Sequence, residues 1–139
     1  MATEDALTLR PVGRVASPLV DPGEAPRQPD EGAPAAWLVF DPAVADAIRD
    51  LAVGDQVVVL TWLDRSRRDV LTTRPRNDPN ARELGVFSTR GPDRPNPVGL
   101  HTVRITAIEG ARVRVDGIEA LDGTPILDVK PVLGPIPDR

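Results

Sequence analysis

Short apolar runs, separated by segments rich in Pro and Gly, are the feature that most restricts the fold of this chain. The 139 residues include 16 Pro and 11 Gly. Pro removes a backbone donor and Gly costs backbone entropy when it is ordered, so neither is favoured inside a long helix or strand. The chain is therefore limited to short elements, and its length is that of one domain.

Strand composition recurs along the sequence, because the apolar runs are β-branched or alternate with polar residues. The predicted strands are 11–16, 37–40, 56–63, 70–73, 86–88, 100–108, 112–115, 118–120 and 126–129. The run from 56 to 63 is aliphatic almost throughout, which is typical of a strand buried on both faces.

Local turn and cap signals connect these strands. A hairpin is expected across Glu109-Gly110, and Asp122-Gly123 predicts a tight turn. Asp41-Pro42 has the pattern of an N-cap followed by Pro at the first helical position, so one helix is predicted over 42–51. We therefore expect a mostly β fold: a small, largely antiparallel β-barrel with one short helix and long loops.

The composition excludes several kinds of chemistry. Without Cys there are no disulfides, thiolate metal sites or cysteine nucleophiles. A single histidine, His101, cannot form a histidine metal cluster, and its strand-like surroundings argue against a Ser-His-Asp triad. No apolar run is long enough to cross a bilayer, and the first residues do not resemble a signal peptide. We expect a cytoplasmic protein that binds neither a membrane nor a metal.

The net charge of −4 is unevenly distributed. Residues 65–94 contain eight Arg and four acids, a balance of about +4, which leaves about −8 for the remainder. An Arg-rich arm can contact phosphates. The charge alone favours the alternative interpretation of a solvated loop, since Arg replaces Lys almost everywhere in this chain.

Two segments contain residue types that a protein core does not need. Residues 85–100 pass from an apolar start into a stretch dense in Arg, Pro, Asn and Gly, and residues 121–131 follow a similar pattern. Rigid loops that carry fixed polar groups are common binding sites. We call residues 85–100 the signature loop.

Five motifs, in this order, resemble the TrmO (TsaA-like) family. They are 12–18, Pro26-Arg27-Gln28, 85–90, 94–100 and 122–131. The resemblance extends over about residues 11–133 and implies one S-adenosylmethionine-binding β-barrel domain over 1–139, irregular at 1–10 and 134–139. It also implies a homodimeric methyltransferase that N6-methylates N6-threonylcarbamoyladenosine at position 37 of tRNA, beside the anticodon.

The same resemblance implies the residues of a cofactor pocket. They are Pro26, Arg27, Gln28, Leu63, Asp64, Arg90, Leu100, Leu121, Asp122, Gly123 and Thr124. A glycine-containing loop allows backbone groups to approach an adenine edge, and Arg27 or Arg90 can hold the cofactor carboxylate with paired hydrogen bonds. Core packing remains an alternative for the three Leu residues, as loop bracing does for Arg90 and Asp122.

Methyl transfer requires mainly alignment, because the sulfonium is already activated. The acceptor N6 is a poor nucleophile until it loses its proton, so a carboxylate is the first candidate base. Asp128 is the first catalytic candidate and Asp64 the second, while a salt bridge with Lys130 is the alternative role for Asp128. The predicted substrate-binding residues are Arg67, Arg68, Arg74, Arg76, Arg94, Asn96 and Lys130.

Two positions depart from the family pattern. Many members have an aromatic-His pair where this chain has Trp62-Leu63-Asp64, and Tyr where it has Val132. Two alternatives to the tRNA methyltransferase therefore stay open. One is an S-adenosylmethionine-dependent methyltransferase of a small-molecule acceptor, and the other is a non-catalytic S-adenosylmethionine-binding protein.

Overall fold

The computed structural model describes residues 6–20, 33–75 and 78–134. Within these residues the chain forms eight strands and two short 3₁₀ helices, Pro42–Ile48 and Val86–Ser88. The strands are Gly13–Ala16 (β1), Ala36–Phe40 (β2), Gln56–Trp62 (β3), Thr72–Thr73 (β4), Leu84–Gly85 (β5), Val98–Glu109 (β6), Arg112–Val115 (β7) and Pro125–Pro131 (β8). The prediction of a mostly β fold is confirmed.

Six of these strands pair in the order β1-β2-β7-β6-β3-β8, and β8 pairs again with β1, so the ladder closes as a barrel. Every pair in this ladder is antiparallel. Strands β4 and β5 form a separate two-stranded sheet.

The core fills the inside of this ladder. Along β3 the buried residues Val57, Val59 and Thr61 alternate with half-buried Val58 and Leu60. Burial on both faces was therefore the wrong prediction for this strand, because only one of its faces lies inside the barrel.

The predicted helix over 42–51 is shorter and of a different type. The segment Pro42–Ile48 consists of 3₁₀ turns interrupted at Val44, whose φ is −109° and ψ is 17°. Asp41 caps it as predicted, accepting a hydrogen bond from Ala43 N at 2.9 Å. Ile48 is buried, and Val44 and Leu51 pack against the core. So short a segment gains little from α-helical hydrogen bonding, and packing against the barrel determines its geometry.

Three predicted strands are corrected by the structure. The segment 70–73 forms a strand only at Thr72–Thr73, and 86–88 is a 3₁₀ turn that follows β5. Residues 118–120 contain buried Ile118 and Ala120 but form no strand. Their backbone crosses the barrel as a loop, with Ile118 N donating to Pro34 O at 3.0 Å. The apolar composition of 118–120 correctly predicted that these residues are buried. It wrongly predicted a strand, because no neighbouring strand pairs with them.

The antiparallel order divides the connections between two ends. The described parts of the connections β1–β2 (17–20 and 33–35), β3–β6 (63–75 and 78–97) and β7–β8 (116–124) lie at one end, which we call the loop end. The connections 41–55 and 110–111 lie at the other end, the hairpin end. The topology therefore brings the signature loop and the turn at 121–124 to the same end of the molecule.

Candidate functional site

The signature loop is fastened to the loop that follows β3. Arg94 N donates to Arg67 O at 3.0 Å, and Arg67 N donates to Asp93 Oδ1 at 2.9 Å. Leu63 N donates to Pro97 O at 2.8 Å. Two backbone–backbone hydrogen bonds and one bond to a side-chain carboxylate therefore hold the two loops together.

Arg94 braces the signature loop from within. Its half-buried guanidinium donates to the carbonyls of Thr89 (2.9 Å), Gly91 (3.0 Å) and Val86 (2.9 Å). Sequence reasoning assigned Arg94 to the acceptor, whereas the structure directs these donors to the loop itself. Arg90 lies between the braced carbonyls and is exposed, and among the described residues its side chain has no hydrogen bond or ion pair.

The turn at 121–124 is anchored to the end of β1. Asp122 N donates to Leu19 O at 2.6 Å, and Asp122 Oδ1 accepts from Ser17 N at 3.0 Å. Gly123, with φ of 83°, donates from its N–H to Val15 O at 2.7 Å. The predicted tight turn is confirmed, and the Asp122 carboxylate has a turn-anchoring role.

The segment 17–20 joins this turn to the other loops. Leu19 accepts from Asp122 N, and Val20 O accepts from Arg65 Nη1 at 3.0 Å. The structure therefore gathers the predicted cofactor residues Leu63, Asp64, Arg90 and 121–124 at the loop end. Pro26, Arg27, Gln28 and the substrate candidate Arg76 lie outside the described residues.

Three predicted residues, Leu100, Asp128 and Lys130, lie instead on the outer surface of the barrel. Leu100, 43% exposed, pairs with Leu60, which pairs in turn with Asp128. Asp128 Oδ1 accepts from Val129 N at 2.8 Å, and its Oδ2 lies 3.6 Å from Lys130 Nζ. The salt bridge considered as an alternative role for Asp128 is thus present.

A buried polar chain lies beneath the loop end and was missed by sequence reasoning. His101 Nε2 lies 2.8 Å from Thr61 Oγ1, and His101 Nδ1 lies 2.8 Å from Glu119 Oε1. A neutral His101 satisfies both contacts when Nδ1–H donates to Glu119 and Nε2 accepts from the threonine hydroxyl. The other oxygen of Glu119, Oε2, is buried and has no hydrogen-bond partner among the described residues.

This chain has the hydrogen-bond order of a Ser-His-Asp triad, but it does not have the access that a triad needs. Thr61 is 0% exposed and His101 is 3% exposed. A substrate cannot reach the threonine hydroxyl, so Thr61 is not a nucleophile. The one available signal was the period-two spacing of His101 with Val103 and Ile105, which placed the histidine on the inward face of β6.

Three of the five predicted substrate-binding cations that the structure describes already have acidic partners. Arg67 donates from Nε and Nη2 to the two carboxylate oxygens of Asp69, both at 3.0 Å. This hydrogen bond raises the pKa of Arg67 and lowers the pKa of Asp69. Arg74 Nη2 lies 3.7 Å from Glu83 Oε2, and Lys130 forms the salt bridge with Asp128 described above.

Arg68 is held differently, beside a cavity of about 610 Å³. Its Nε donates to Pro95 O at 2.7 Å and its Nη2 donates to Asn96 Oδ1 at 2.8 Å. The guanidinium lies over Trp62, with 5.1 Å from Cζ to the ring centroid. Residues that line the cavity include Leu7, Leu9, Trp62, Arg68, Asn96 and Leu127.

Two further classes of site were sought in the part of the chain that the structure describes. There, no three His, Asp or Glu side chains are grouped so that they could hold a metal ion. No helix among the same residues is long and apolar enough to cross a membrane.

Comparison with known proteins identifies the family. The model of the tRNA-methyltransferase O N-terminal domain matches residues 14–136. The match covers most of the chain, and the chain therefore belongs to the TrmO N-terminal domain family. The family predicted from the sequence motifs is confirmed.

Individual relatives agree with this placement. A probable S-adenosyl-L-methionine-binding protein of Archaeoglobus fulgidus is 40% identical over 88% of this chain and 33% of its own length. A protein of the same description from Methanothermobacter thermautotrophicus is 41% identical over 90% of this chain and 89% of its own length. The crystal structure of TrmO from Pseudomonas aeruginosa matches with a TM-score of 0.73 and 30% identity, over 92% of this chain and 56% of that one. The chain thus spans one third of the first relative and just over half of the solved TrmO chain.

Proposed function

We propose that this protein is an S-adenosylmethionine-dependent methyltransferase that N6-methylates N6-threonylcarbamoyladenosine at position 37 of tRNA. The observation that carries the proposal is the loop end, where Arg94 holds the loop that presents Arg90, and Arg90 has no side-chain partner among the described residues. Because the backbone that carries Arg90 is already braced, less backbone entropy is lost when its guanidinium binds a carboxylate. Membership of the TrmO N-terminal domain family supports both the cofactor and the reaction class.

The cofactor site combines Arg90 with backbone groups of the anchored turn at 121–124. Arg90 binds the cofactor carboxylate, and the turn contacts the adenine, as the family resemblance implies. Leu63 and Asp64 lie at the same end of the barrel, and Pro26, Arg27 and Gln28 complete the predicted set. Asp64 is exposed there and is the better placed of the two candidate bases, because Asp128 is paired with Lys130 on the outer surface.

We propose a homodimer in which the cofactor site lies near the subunit interface. Within one chain, Leu100 is separated from the start of β8 by strand β3. Leu100 and Val98 expose apolar side chains on this outer surface, 43% and 41% respectively. A second copy packed there would bury them and bring Leu100 of the partner subunit towards the loop end. Light scattering should therefore give a dimer at micromolar concentration, and a cofactor-binding monomer would contradict this assembly.

Methylation of tRNA tests the activity directly. The substrate is tRNA purified from a strain that lacks this gene, and the product is read by nucleoside mass spectrometry. One added methyl group on N6-threonylcarbamoyladenosine is the expected result. Binding of S-adenosylmethionine without turnover on any acceptor would support the non-catalytic alternative instead.

The cofactor role of Arg90 has its own test. Arg90→Ala should weaken S-adenosylmethionine binding by about 1.5–3 kcal/mol, the usual size of a hydrogen bond to a charged group. Calorimetry measures the change in affinity. Arg49→Ala is the control, because Arg49 is also an exposed arginine but lies at the hairpin end, where its Nε is 3.9 Å from Asp50 Oδ2. Unchanged affinity in a folded Arg90 variant would remove it from the cofactor site.

A small-molecule acceptor remains the second candidate, and one observation favours it. The acid partners of Arg67, Arg74 and Lys130 reduce the positive charge available for phosphates. Each phosphate contact contributes about 0.7–0.9 to the slope of log affinity against log salt concentration. The double variant Arg67→Ala/Arg68→Ala should lower tRNA affinity and this slope together while S-adenosylmethionine still binds. Wild-type protein without salt-dependent tRNA binding would favour the small-molecule candidate.

A further inference from the structure

Like Arg94, Arg68 is a predicted substrate-binding arginine whose charge is held in place without being neutralised, and Arg68 also lines the cavity. Its hydrogen-bond acceptors are a backbone carbonyl and a side-chain amide oxygen. By contrast, Arg67 faces the Asp69 carboxylate and Arg74 faces Glu83. A guanidinium fixed by neutral acceptors keeps its attraction for an anion, and its orientation is already set.

Unused donors accompany this charge. Nε and Nη2 of Arg68 make the two hydrogen bonds described above. Its Nη1 has no hydrogen-bond partner among the described residues. Asn96 accepts from Arg68 through Oδ1, so the amide N–H₂ of Asn96 is also left without a partner in the same residues. Both residues line the cavity, and N–H donors of these two kinds recognise oxygen acceptors such as a carboxylate.

The rest of the cavity favours a flat ring. Trp62 and the Arg68 guanidinium stack on each other, and aromatic and guanidinium planes are the surfaces on which proteins hold unpaired bases. Leu7, Leu9 and Leu127 supply apolar lining. The volume of about 610 Å³ is within the range of small-molecule sites.

We propose that this cavity binds the modified base of the acceptor: the purine lies against the Trp62–Arg68 stack, and Arg68 with Asn96 binds the carboxylate of its amino-acid arm. The inference rests on the proposed function and adds the residues that select the acceptor. N6-threonylcarbamoyladenosine has a purine and a carboxylate, and adenosine has only the purine. Along the chain, Trp62 is followed directly by Leu63-Asp64, which the proposed function assigns to the cofactor and the base.

Tryptophan fluorescence tests the stacking directly. The chain has two Trp residues, and Trp37→Phe leaves Trp62 as the single emitter. In this background the free nucleoside N6-threonylcarbamoyladenosine should quench Trp62 in a saturable way, and adenosine should bind at least tenfold more weakly. Equal binding of the two nucleosides, or no quenching, would overturn the proposal.

Asn96→Asp tests the carboxylate contact with little change in shape. The aspartate keeps an oxygen for Arg68 Nη2, so the loop contact survives, while the new charge neutralises Arg68 and repels a carboxylate. Affinity for the modified nucleoside should fall at least tenfold, and adenosine affinity should stay unchanged. Arg68→Gln is the second variant, with the same expected loss. Arg112→Gln, which removes an exposed arginine at the start of β7, is the control.

The outcomes separate this inference from the proposed function. If wild-type protein methylates tRNA and Asn96→Asp does so with unchanged KM and kcat, the acceptor site is elsewhere and the function stands. If the modified nucleoside binds Trp62 in an Asn96-dependent way but no methyl transfer to tRNA occurs, the cavity assignment stands and the proposed function fails.

Discussion

The loop end and the hairpin end of the barrel use glycine and arginine for different purposes. At the hairpin end, Gly54 and Gly110 have φ of 97° and 59°, and a Cβ added to either would meet no atom within 4 Å. At the loop end, a Cβ on Gly99 would clash with Thr61 Oγ1 and lie 2.7 Å from His101 Nε2. Glycine therefore reverses the chain at one end and allows close packing at the other.

The arginines at the two ends also differ in how many hydrogen bonds they make and how deeply they are buried. Arg104 makes one exposed side-chain hydrogen bond at the hairpin end, from Nη1 to Gly54 O at 2.8 Å. Arg94 makes three bonds at the loop end and is half-buried. The loop end is held by side-chain hydrogen bonds to loop carbonyls, outside the strand ladders. This arrangement is expected where long loops must hold the proposed binding site rigid.

The largest difference between the ends should come from their glycines. Gly99→Ala forces Thr61 and His101 apart, adding overpacking to a disrupted buried hydrogen bond, and should cost about 3 kcal/mol of unfolding free energy. Gly110→Ala places an alanine in left-handed backbone without a clash and should cost about 1 kcal/mol. Urea unfolding measures both values. Equal losses would show that the close contact at Gly99 is easily relieved.

The arginine comparison should give the next largest effect. Arg94→Ala removes half-buried charge-assisted bonds that hold the signature loop, for an expected loss of about 2–3 kcal/mol. Arg104→Ala removes one exposed bond, and its cost should be about 0.5–1 kcal/mol. Calorimetry should also show weaker S-adenosylmethionine binding for Arg94→Ala, because Arg90 loses its fixed loop. Unchanged cofactor binding in a folded Arg94 variant would contradict the bracing role.

The hairpin end was easier to predict from sequence than the loop end. Glu109-Gly110 indicated the β6–β7 hairpin, and Asp41-Pro42 indicated the capped segment, because those signals lie within a few residues of the structure they produce. The helix type at 42–48 was missed because packing, rather than local propensity, determined it.

At the loop end, local sequence patterns indicated where the loops and turns lie along the chain. They gave less information about which side chains contact one another. The signature motifs indicated the loop that carries Arg90. Asp122-Gly123 indicated the separate turn at 121–124. The pairing of His101 with Thr61 and Glu119 joins residues 40 and 18 positions apart. Such contacts depend on strand register and on a loop crossing the barrel, neither of which is encoded in a short window of sequence.

The buried chain provides a third comparison. Glu119→Ala leaves the Nδ1–H of buried His101 without its acceptor and should cost about 2 kcal/mol, whereas Glu119→Gln retains an acceptor oxygen and should restore most of it. The hairpin-end counterpart is Asp55→Ala, which removes the exposed contact from Ala52 N to Asp55 Oδ2 at 3.0 Å and should cost about 0.5–1 kcal/mol. Thermal and urea unfolding of the three variants measure these differences. Equal stability of the Ala and Gln variants at position 119 would exclude the His101 contact as the cause.

The smallest effect should come from the exposed ion pairs. The loop-end pair Arg67–Asp69 is two-pronged at 3.0 Å, and the hairpin-end pair Arg49–Asp50 is a single contact at 3.9 Å. Hydrogen bonding from Arg67 lowers the pKa of Asp69 below its ordinary value of 3.8. The folded state therefore favours ionised Asp69, so its contribution to stability is present above pH 3.8 and is lost as the pH falls through the lowered pKa.

This contribution should be small and sensitive to salt, because both side chains are exposed to solvent. NMR titration of the Asp69 carboxyl should give a pKa below that of the same group in Arg67→Ala. The pKa in the variant should rise most of the way towards 3.8, with a remainder due to the backbone hydrogen bond at Asp69. High salt should narrow the difference between the two proteins. An Asp69 pKa that does not respond to Arg67→Ala would mean that the pair is not maintained in solution, and Arg67 would then carry a free charge like that of Arg68.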